Sequence, residues 1–162
     1  MKKIRVLFVC LGNICRSPLG AAILKKKVLE EGLESEIEVD SCGTSNYHIG
    51  SGADSRTVAN AMANGVPITH CARQLTAADL RTFDFVFAMD KSNYQNILRV
   101  ANAADTQKRV KLMREFDTVS PGADVPDPYY GSEKDFQHVY EILDRCTSNF
   151  LEFVKKECLD RG

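Results

Sequence analysis

A cysteine and an arginine separated by five residues frame the first candidate site. They are Cys10 and Arg16, in the stretch VLFVCLGNICRSPLG. A cysteine thiolate is a strong nucleophile, and the planar arginine fork matches two oxygens of a phosphate. Gly12 and Asn13 lie between them and are residue types that tolerate positive φ, which a tight loop needs to turn backbone N–H groups inward. The spacing therefore predicts a loop that holds a tetrahedral dianion above a nucleophilic sulfur.

The flanking residues predict a strand before this loop and a helix after it. Ile4–Cys10 is a short apolar run typical of a buried strand, and Ser17 followed by Pro18 is a helix start, with Gly32 closing the helix. The dipole and free N–H groups of a helix N-terminus attract an anion and favour a thiolate at Cys10. A buried cysteine followed by a solvent-facing arginine is the alternative interpretation.

An acidic residue far along the chain could supply the proton that a departing ester oxygen needs. Asp127 lies between two prolines in VPDPYYGSEKDF, which stiffens its backbone. A carboxyl group beside a bound dianion favours its protonated form, as a general acid requires. Asp-Pro is also an ordinary turn dipeptide, so the residues alone leave both interpretations open.

Strand-like and helix-like segments alternate through the rest of the chain. The pattern predicts strands at 37–43, 83–89 and 109–116, and helices at 54–64, 91–104 and from Ser132 onward, with Asp90 as a cap for the helix at 91–104. Such alternation implies right-handed crossovers and a parallel sheet covered by helices on both faces. Ligands bind at the carboxyl ends of the strands in such sheets, which is where Cys10 would lie.

Length, charge and hydropathy exclude several classes. A chain of 162 residues, 44% of them hydrophobic, predicts a single α/β domain over residues 1–162. A formal net charge of −1 gives no sequence-wide attraction to nucleic acid. The apolar run Val6–Leu11 is too short for a signal peptide, and no segment is long enough to span a membrane. We expect a cytoplasmic protein.

Six cysteines are too sparse and irregular to suggest a secreted disulfide scaffold. We expect four of them to be small buried hydrophobic residues: Cys42, Cys71, Cys146 and Cys158. No Cys-x-x-Cys pair is present, so no zinc site is expected.

The stretches VCLGNICRSP and DPYYG resemble the low-molecular-weight protein tyrosine phosphatases. The similarity continues through VDSCGTS, ITHCARQLT and FDFVFAMDKSN, and so covers nearly the whole chain. It implies a four-stranded parallel sheet flanked by helices. It also implies hydrolysis of phosphotyrosine and small aryl phosphates through a cysteinyl-phosphate intermediate, with no metal and no cofactor.

The resemblance assigns roles to the matching residues. Cys10 matches the nucleophile, Arg16 the transition-state arginine, and Asp127 the acid that protonates the leaving group and then activates water. The remaining matches are the substrate-binding loop residues Leu11, Gly12, Asn13, Ile14 and Cys15, and a supporting polar network of Ser17, Ser41 and His70.

Three further expectations depend on the resemblance. Tyr47 and Tyr129 match the walls of the crevice, whose aromatic faces would hold a phenyl ring. Cys15, which on residue type alone is a packing residue, matches a cysteine that forms a reversible disulfide with Cys10. Tyr129 and Tyr130 resemble regulatory phosphorylation sites.

Two alternatives come from other functional classes. Arsenate reductases share the fold and the loop, but their chemistry resembles a relay through two further cysteines that follow the third strand. This chain has no cysteine from Phe83 to Val100. A non-catalytic phosphotyrosine-binding module is the second. The expected partners are tyrosine-phosphorylated proteins, and the sequence favours a monomer without deciding the oligomeric state.

Overall fold

The computed structural model describes residues 3–101 and 103–159. The outermost residues of the domain predicted over 1–162 therefore lie outside the described ranges. The elements follow in the order β1 (Ile4–Cys10), α1 (Arg16–Glu30), β2 (Ile37–Gly43), α2 (Ser55–Ala63), α3 (Ala77–Thr82), β3 (Phe85–Ala88), α4 (Lys91–Val100), α5 (Ala104–Gln107), β4 (Val110–Leu112), a 3₁₀ turn (Met113–Phe116) and α6 (Glu133–Glu157).

The strands form one all-parallel sheet in the order β2-β1-β3-β4, which confirms the predicted α/β class. The strand β1 is central and sends alternate side chains to opposite faces. Val6 and Phe8 belong to the core packed against α1 and α6, whereas Leu7 and Val9 belong to the core beneath α3 and α4. Both faces are thus covered, and the loop after β1 opens at the carboxyl edge of the sheet.

Local side-chain caps fix where two of the helices begin. The Asp54 carboxylate accepts from Arg56 N at the start of α2, and the Asp90 carboxylate accepts from Asn93 N at the start of α4. These bonds satisfy N–H groups that have no partner inside the helix. Because α4 follows β3 directly, its cap also brings the Asp90 carboxylate to the edge of the sheet where β1 ends.

The helix after the loop begins two residues earlier than predicted. Its first residue is Arg16, and Ser17 is inside the first turn rather than at the cap. Pro18 is accordingly the third helical residue. The Ser17 hydroxyl does not cap the helix because it lies 3.0 Å from the Cys10 sulfur.

Three other predicted elements are shorter than expected. The strand predicted over 83–89 extends only from Phe85 to Ala88. The helix predicted to reach Ala104 ends at Val100, where the following Ala101 is extended, and a separate short α5 follows. The strand predicted over 109–116 pairs only through Val110–Leu112, and the Glu115 carboxylate then accepts from Leu112 N at 2.7 Å to begin the 3₁₀ turn. The short helix α3 was not predicted.

The buried-cysteine prediction is correct for two residues and wrong for two. Cys42 and Cys146 are fully buried in the two cores. Cys71 and Cys158 are exposed, because Cys71 lies in the loop between α2 and α3 and Cys158 follows the last turn of α6.

None of the helices in the described ranges is long and apolar enough to cross a membrane.

Candidate active site

The Cys10 sulfur is held by the first turn of α1. The Ser17 backbone N–H donates to Cys10 Sγ at 3.4 Å, and the Ser17 hydroxyl oxygen lies 3.0 Å from the same atom. The side chain of Cys10 is 3% exposed. A free N–H at the start of the helix therefore points at the sulfur, and together with the helix dipole it stabilises negative charge there.

The orientation of the Ser17 hydroxyl follows from its neighbours. Asn13 Nδ2 donates to Ser17 Oγ at 2.8 Å, so the oxygen already accepts one bond. Its single proton can then go either to Cys10 Sγ or to the Cys42 carbonyl, 3.2 Å away. A thiolate is an acceptor only, so the hydroxyl donates to Cys10 when that residue is ionised.

Asn13 is the buried centre of the network behind the loop. Its φ is 57°, the left-handed conformation that asparagine tolerates better than most residues. Its side-chain amide donates to Ser41 Oγ at 3.0 Å and accepts from Arg73 N at 3.0 Å. The Asn13 carbonyl accepts from His70 Nε2 at 2.7 Å. Ser41 and His70 thus lie where a supporting network is predicted, and the Asn13 side chain points behind the loop instead of into the cavity.

The contact with the Asn13 carbonyl fixes which ring nitrogen of His70 carries a hydrogen. A carbonyl can only accept, so Nε2 carries a hydrogen. Burial lowers the pKa of His70, although the bond to the Asn13 carbonyl acts in the opposite direction. His70 is therefore neutral at pH 7 and donates to the loop without adding charge to it.

A β-carbon would crowd neighbouring atoms at two glycines around the loop, most severely at Gly43, where those atoms belong to the backbone. The expectation of positive φ at Gly12 is wrong, because Asn13 is the one described residue of the loop between Cys10 and Arg16 that has a positive φ. At Gly12 a β-carbon would lie 3.0 Å from His48 Cδ2. At Gly43, the last residue of β2, it would lie 2.7 Å from the Leu11 carbonyl oxygen and 3.0 Å from Asn13 N. Because residue 43 has no side chain, the backbone of the loop lies in direct contact with the backbone at the end of β2.

Arg16 is buried, and one edge of its guanidinium group is already occupied. Nη1 donates to Asp90 Oδ2 at 2.7 Å and to the Val125 carbonyl at 2.9 Å. Burial opposes the positive charge, but the Cys10 sulfur and the Asp90 carboxylate outweigh it and raise the pKa of Arg16. Nε and Nη2 make no hydrogen bond within the described residues, so one planar edge is available for two oxygens of a tetrahedral anion.

Asp127 stands at the mouth of the same cavity. Its Oδ2 lies 3.7 Å from Arg16 Nη2, and its Oδ1 accepts from Tyr129 N at 3.1 Å. The side chain is half exposed, at 49%. The carboxyl group is thus close to the guanidinium group of Arg16 while still open to water.

A cavity of about 270 Å³ joins these groups. It is lined by Cys10, Leu11, Gly12, Ile14, Cys15, Arg16, Tyr47, His48, Asp127, Tyr129 and Tyr130. All of the predicted loop residues except Asn13 line it, and both predicted tyrosine walls are present. No group of three His, Cys, Asp or Glu side chains in the described ranges is arranged to hold a metal ion.

Cys15 lines the cavity beside Cys10 but in a different environment. Burial raises the pKa of the Cys15 thiol to about 12, against the opposing effect of a hydrogen bond with Thr57. Cys15 is therefore a thiol at neutral pH and does not compete with Cys10 as a nucleophile.

Sequence reasoning missed Asp90, His48, Gly43 and Arg73. Asp90 directly follows the third predicted strand, so its position at the carboxyl edge was a usable signal, but it was interpreted only as a helix cap. His48 adjoins Tyr47 in a segment without a regular pattern. Gly43 and Arg73 act through backbone contacts between distant parts of the chain, which no local pattern reveals.

Comparisons with known proteins agree with this geometry. The model of the family "Low molecular weight phosphotyrosine protein phosphatase" matches residues 5–159. The Gallus gallus protein of that name is 43% identical over 148 residues, covering 91% of this chain and 93% of its own length. The crystal structure of protein tyrosine phosphatase from Entamoeba histolytica has a TM-score of 0.91 at 36% identity, covering 95% of this chain and 98% of its own. Vibrio vulnificus Wzb in complex with benzylphosphonate has a TM-score of 0.81 at 28% identity, covering 94% and 99%.

Proposed function

This chain belongs to the low molecular weight phosphotyrosine protein phosphatase family, and from that premise we propose that Cys10, Arg16 and Asp127 carry out its reaction. The enzyme hydrolyses phosphotyrosine through a cysteinyl-phosphate intermediate, the mechanism characteristic of the family. The observation that carries the residue assignment is that one cavity brings a sulfur, a guanidinium edge and a half-exposed carboxyl group together. The names of the relatives favour hydrolysis over arsenate reduction and over phosphotyrosine binding without turnover.

The first step transfers the phosphoryl group to the enzyme. The Cys10 sulfur attacks phosphorus, and the bond between phosphorus and the phenolic oxygen breaks. Asp127 gives its proton to that oxygen, so the product leaves as a neutral phenol. The free edge of Arg16 binds two phosphoryl oxygens, and the loop amides bind the remaining charge. Asp90 keeps the guanidinium group in place throughout, because it holds the opposite edge.

The second step releases phosphate and restores the sulfur. Asp127 is now a carboxylate and takes a proton from water as the water oxygen attacks phosphorus. The sulfur–phosphorus bond breaks, and Cys10 leaves as the thiolate that the Ser17 N–H stabilises. Inorganic phosphate then departs, and Asp127 is protonated again for the next cycle.

The aryl preference follows from the shape of the cavity. Tyr47 and Tyr129 line its outer part, and aromatic faces favour contact with a phenyl ring. Cys10 lies at the buried end, so a long aryl ester reaches the sulfur more readily than a short aliphatic one. Tyrosine-phosphorylated proteins are therefore the expected substrates.

Cys15 supplies a protective reaction after oxidation. Peroxide converts the Cys10 thiolate to a sulfenic acid, with its second oxygen leaving as hydroxide. The Cys15 thiol then attacks the Cys10 sulfur, a disulfide forms, and water leaves. A thiol reductant reverses the change. This chemistry suits a reducing compartment, which supports the cytoplasm as the site of action.

The test is hydrolysis of p-nitrophenyl phosphate in excess EDTA at about pH 5.5. We expect chelator-resistant activity that Cys10→Ser abolishes, because the hydroxyl is a much poorer nucleophile than the thiolate. The matched control is Cys71→Ser, an exposed cysteine outside the cavity, which leaves activity unchanged. Full activity in the Cys10→Ser protein would reject the assignment.

A further inference from the structure

The first turn of α2 contacts the phosphate-binding loop directly. Asp54 N donates to the Ile14 carbonyl at 2.8 Å, and Thr57 is hydrogen-bonded to the Cys15 thiol. Thr57 is 1% exposed. This turn is therefore fixed to the loop at two adjacent residues, and its position moves only if the loop moves.

Arg56 extends from this turn across to the segment that carries the general acid. Its Nη1 donates to the Tyr129 carbonyl at 2.8 Å, and its guanidinium carbon lies 5.2 Å from the centre of the Tyr129 ring. The same guanidinium carbon lies 4.8 Å from the centre of the Phe136 ring. Backbone and ring of Tyr129 are thus both held by one side chain.

The Arg56 side chain is itself fixed by Asp54. Nε donates to Oδ1 at 3.1 Å and Nη2 donates to Oδ2 at 2.8 Å, which is a bidentate pair. All three guanidinium nitrogens are therefore bonded, two to Asp54 and one to Tyr129. Because two nitrogens of the planar guanidinium group are held by Asp54, the third nitrogen is aimed in one direction. A flexible lysine cannot reproduce this geometry.

The segment that Arg56 holds is packed through the buried Pro128 but makes few hydrogen bonds to the rest of the described chain. Residues 127–131 bond among themselves through Tyr129 N to Asp127 Oδ1 and Gly131 N to the Pro128 carbonyl. Across the described ranges, the hydrogen bond from Arg56 is the one that joins residues 127–131 to another part of the chain. The Asp127 carboxyl group, half exposed and 3.7 Å from Arg16, has no direct bond that would fix its distance from the sulfur.

We propose that Arg56 is a positioning residue for catalysis. It holds Asp127 at the distance from Cys10 at which the carboxyl group can protonate the leaving-group oxygen of a phosphate ester attacked by Cys10. The proposal rests on the proposed function of Asp127 as the general acid. Arg56 does not line the cavity that contains Cys10; it borders a separate cavity of about 680 Å³ between α2 and α6. It therefore acts through the segment 127–131 and not by touching the substrate.

The test compares two esters that differ in how much they need an acid. Phenyl phosphate has a poor leaving group and p-nitrophenyl phosphate a good one, so the ratio of their kcat/KM values measures assistance by the acid. Complete removal of a general acid costs roughly 10² to 10⁴ in rate. We expect Arg56→Ala, which displaces the acid without deleting it, to change the ratio about fivefold in favour of p-nitrophenyl phosphate. A purely structural role would lower both activities equally and leave the ratio unchanged.

Two further variants show whether a change in the ratio is specific to the guanidinium group of Arg56. The control is Arg99→Ala, an exposed arginine with one side-chain hydrogen bond, to Asn96, and we expect it to keep the wild-type ratio. Arg56→Lys keeps the charge but not the fork, so we expect it to shift the ratio in the same direction as Arg56→Ala. It serves as the test if Arg56→Ala does not fold.

The dependence on Asp127 is tested by combining substitutions. Asp127→Ala alone shifts the ratio by at least tenfold if Asp127 is the acid. Adding Arg56→Ala to Asp127→Ala then shifts it no further, because the group that Arg56 positions is gone. A further shift in the double variant, or wild-type ratios in both Arg56 variants, would overturn the positioning role. An unchanged ratio in Asp127→Ala would instead refute the proposed function on which it rests.

Discussion

Replacing Asn13 with alanine removes the centre of the network that supports the loop. Three hydrogen bonds are lost: those from Asn13 Nδ2 to Ser17 and Ser41, and that from Arg73 N to Asn13 Oδ1. Each contributes about 1 kcal/mol net. Alanine in the left-handed conformation at φ 57° costs about 1 kcal/mol more. We expect the free energy of unfolding to fall by about 4 kcal/mol, a large part of the 5 to 15 kcal/mol typical of a domain.

Activity should fall together with stability. Without the Asn13 amide, the Ser17 hydroxyl loses the donor that orients it toward the Cys10 sulfur. We expect kcat/KM for p-nitrophenyl phosphate to fall by at least about tenfold, since small displacements of reacting groups have effects of that size.

Urea unfolding followed by far-ultraviolet circular dichroism is the assay, because the chain has no tryptophan for fluorescence. Asn13→Gly is the control that separates the backbone from the hydrogen bonds. It loses the same bonds but accepts positive φ, so it should be about 1 kcal/mol more stable than Asn13→Ala. A loss below about 1 kcal/mol in Asn13→Ala would refute the reasoning, given that three bonds and a strained backbone predict more.

Three other predictions concern the surroundings of the loop. Gly43→Ala should lower kcat/KM at least about tenfold, because the added β-carbon displaces the loop backbone. Gly52→Ala is the control and should keep its activity, because the nearest atom to its β-carbon would be 3.9 Å away. Equal activities of the two variants would contradict the steric argument. Because the pKa of His70 is lowered in the folded protein, stability is fully present above about pH 6.5 and declines as the pH falls toward the folded pKa. Urea titrations between about pH 7.5 and 5.5 should therefore show a larger loss for wild type than for His70→Gln, and identical losses would exclude this linkage. Inactivation by mild peroxide should be reversed by a thiol reductant in wild type and in Cys71→Ser but not in Cys15→Ser, and full recovery of Cys15→Ser would rule out the protective disulfide.

The sequence predicted most of what depends on neighbouring residues. The apolar run Ile4–Cys10 and the alternation in Ile37–Gly43 predicted the first two strands at their observed bounds. Asp54 and Asp90 were correctly expected at the starts of their helices. These signals are local, since hydrophobic periodicity and caps involve residues only a few positions apart.

The parts that could not be predicted depend on tertiary contacts. The second bond of Asp90, to Arg16 across 74 positions, appears only once β3 lies beside β1. The bond from Arg56 to Tyr129 likewise joins distant segments. Ser17 was misassigned as a helix cap because its hydroxyl contacts the Cys10 sulfur instead, and that contact exists only after the loop has folded.

The central claim is that Cys10 carries the phosphoryl group during turnover. Its most direct test is to quench the enzyme in acid during hydrolysis of p-nitrophenyl phosphate and to map the modified residue by mass spectrometry. The account predicts one phosphoryl group on the peptide that contains Cys10, in greater amount in Asp127→Ala if hydrolysis of the intermediate is slowed, and none in Cys10→Ala, which has no nucleophile at that position. A phosphoryl group on any other residue, or turnover by Cys10→Ser at the wild-type rate, would contradict it.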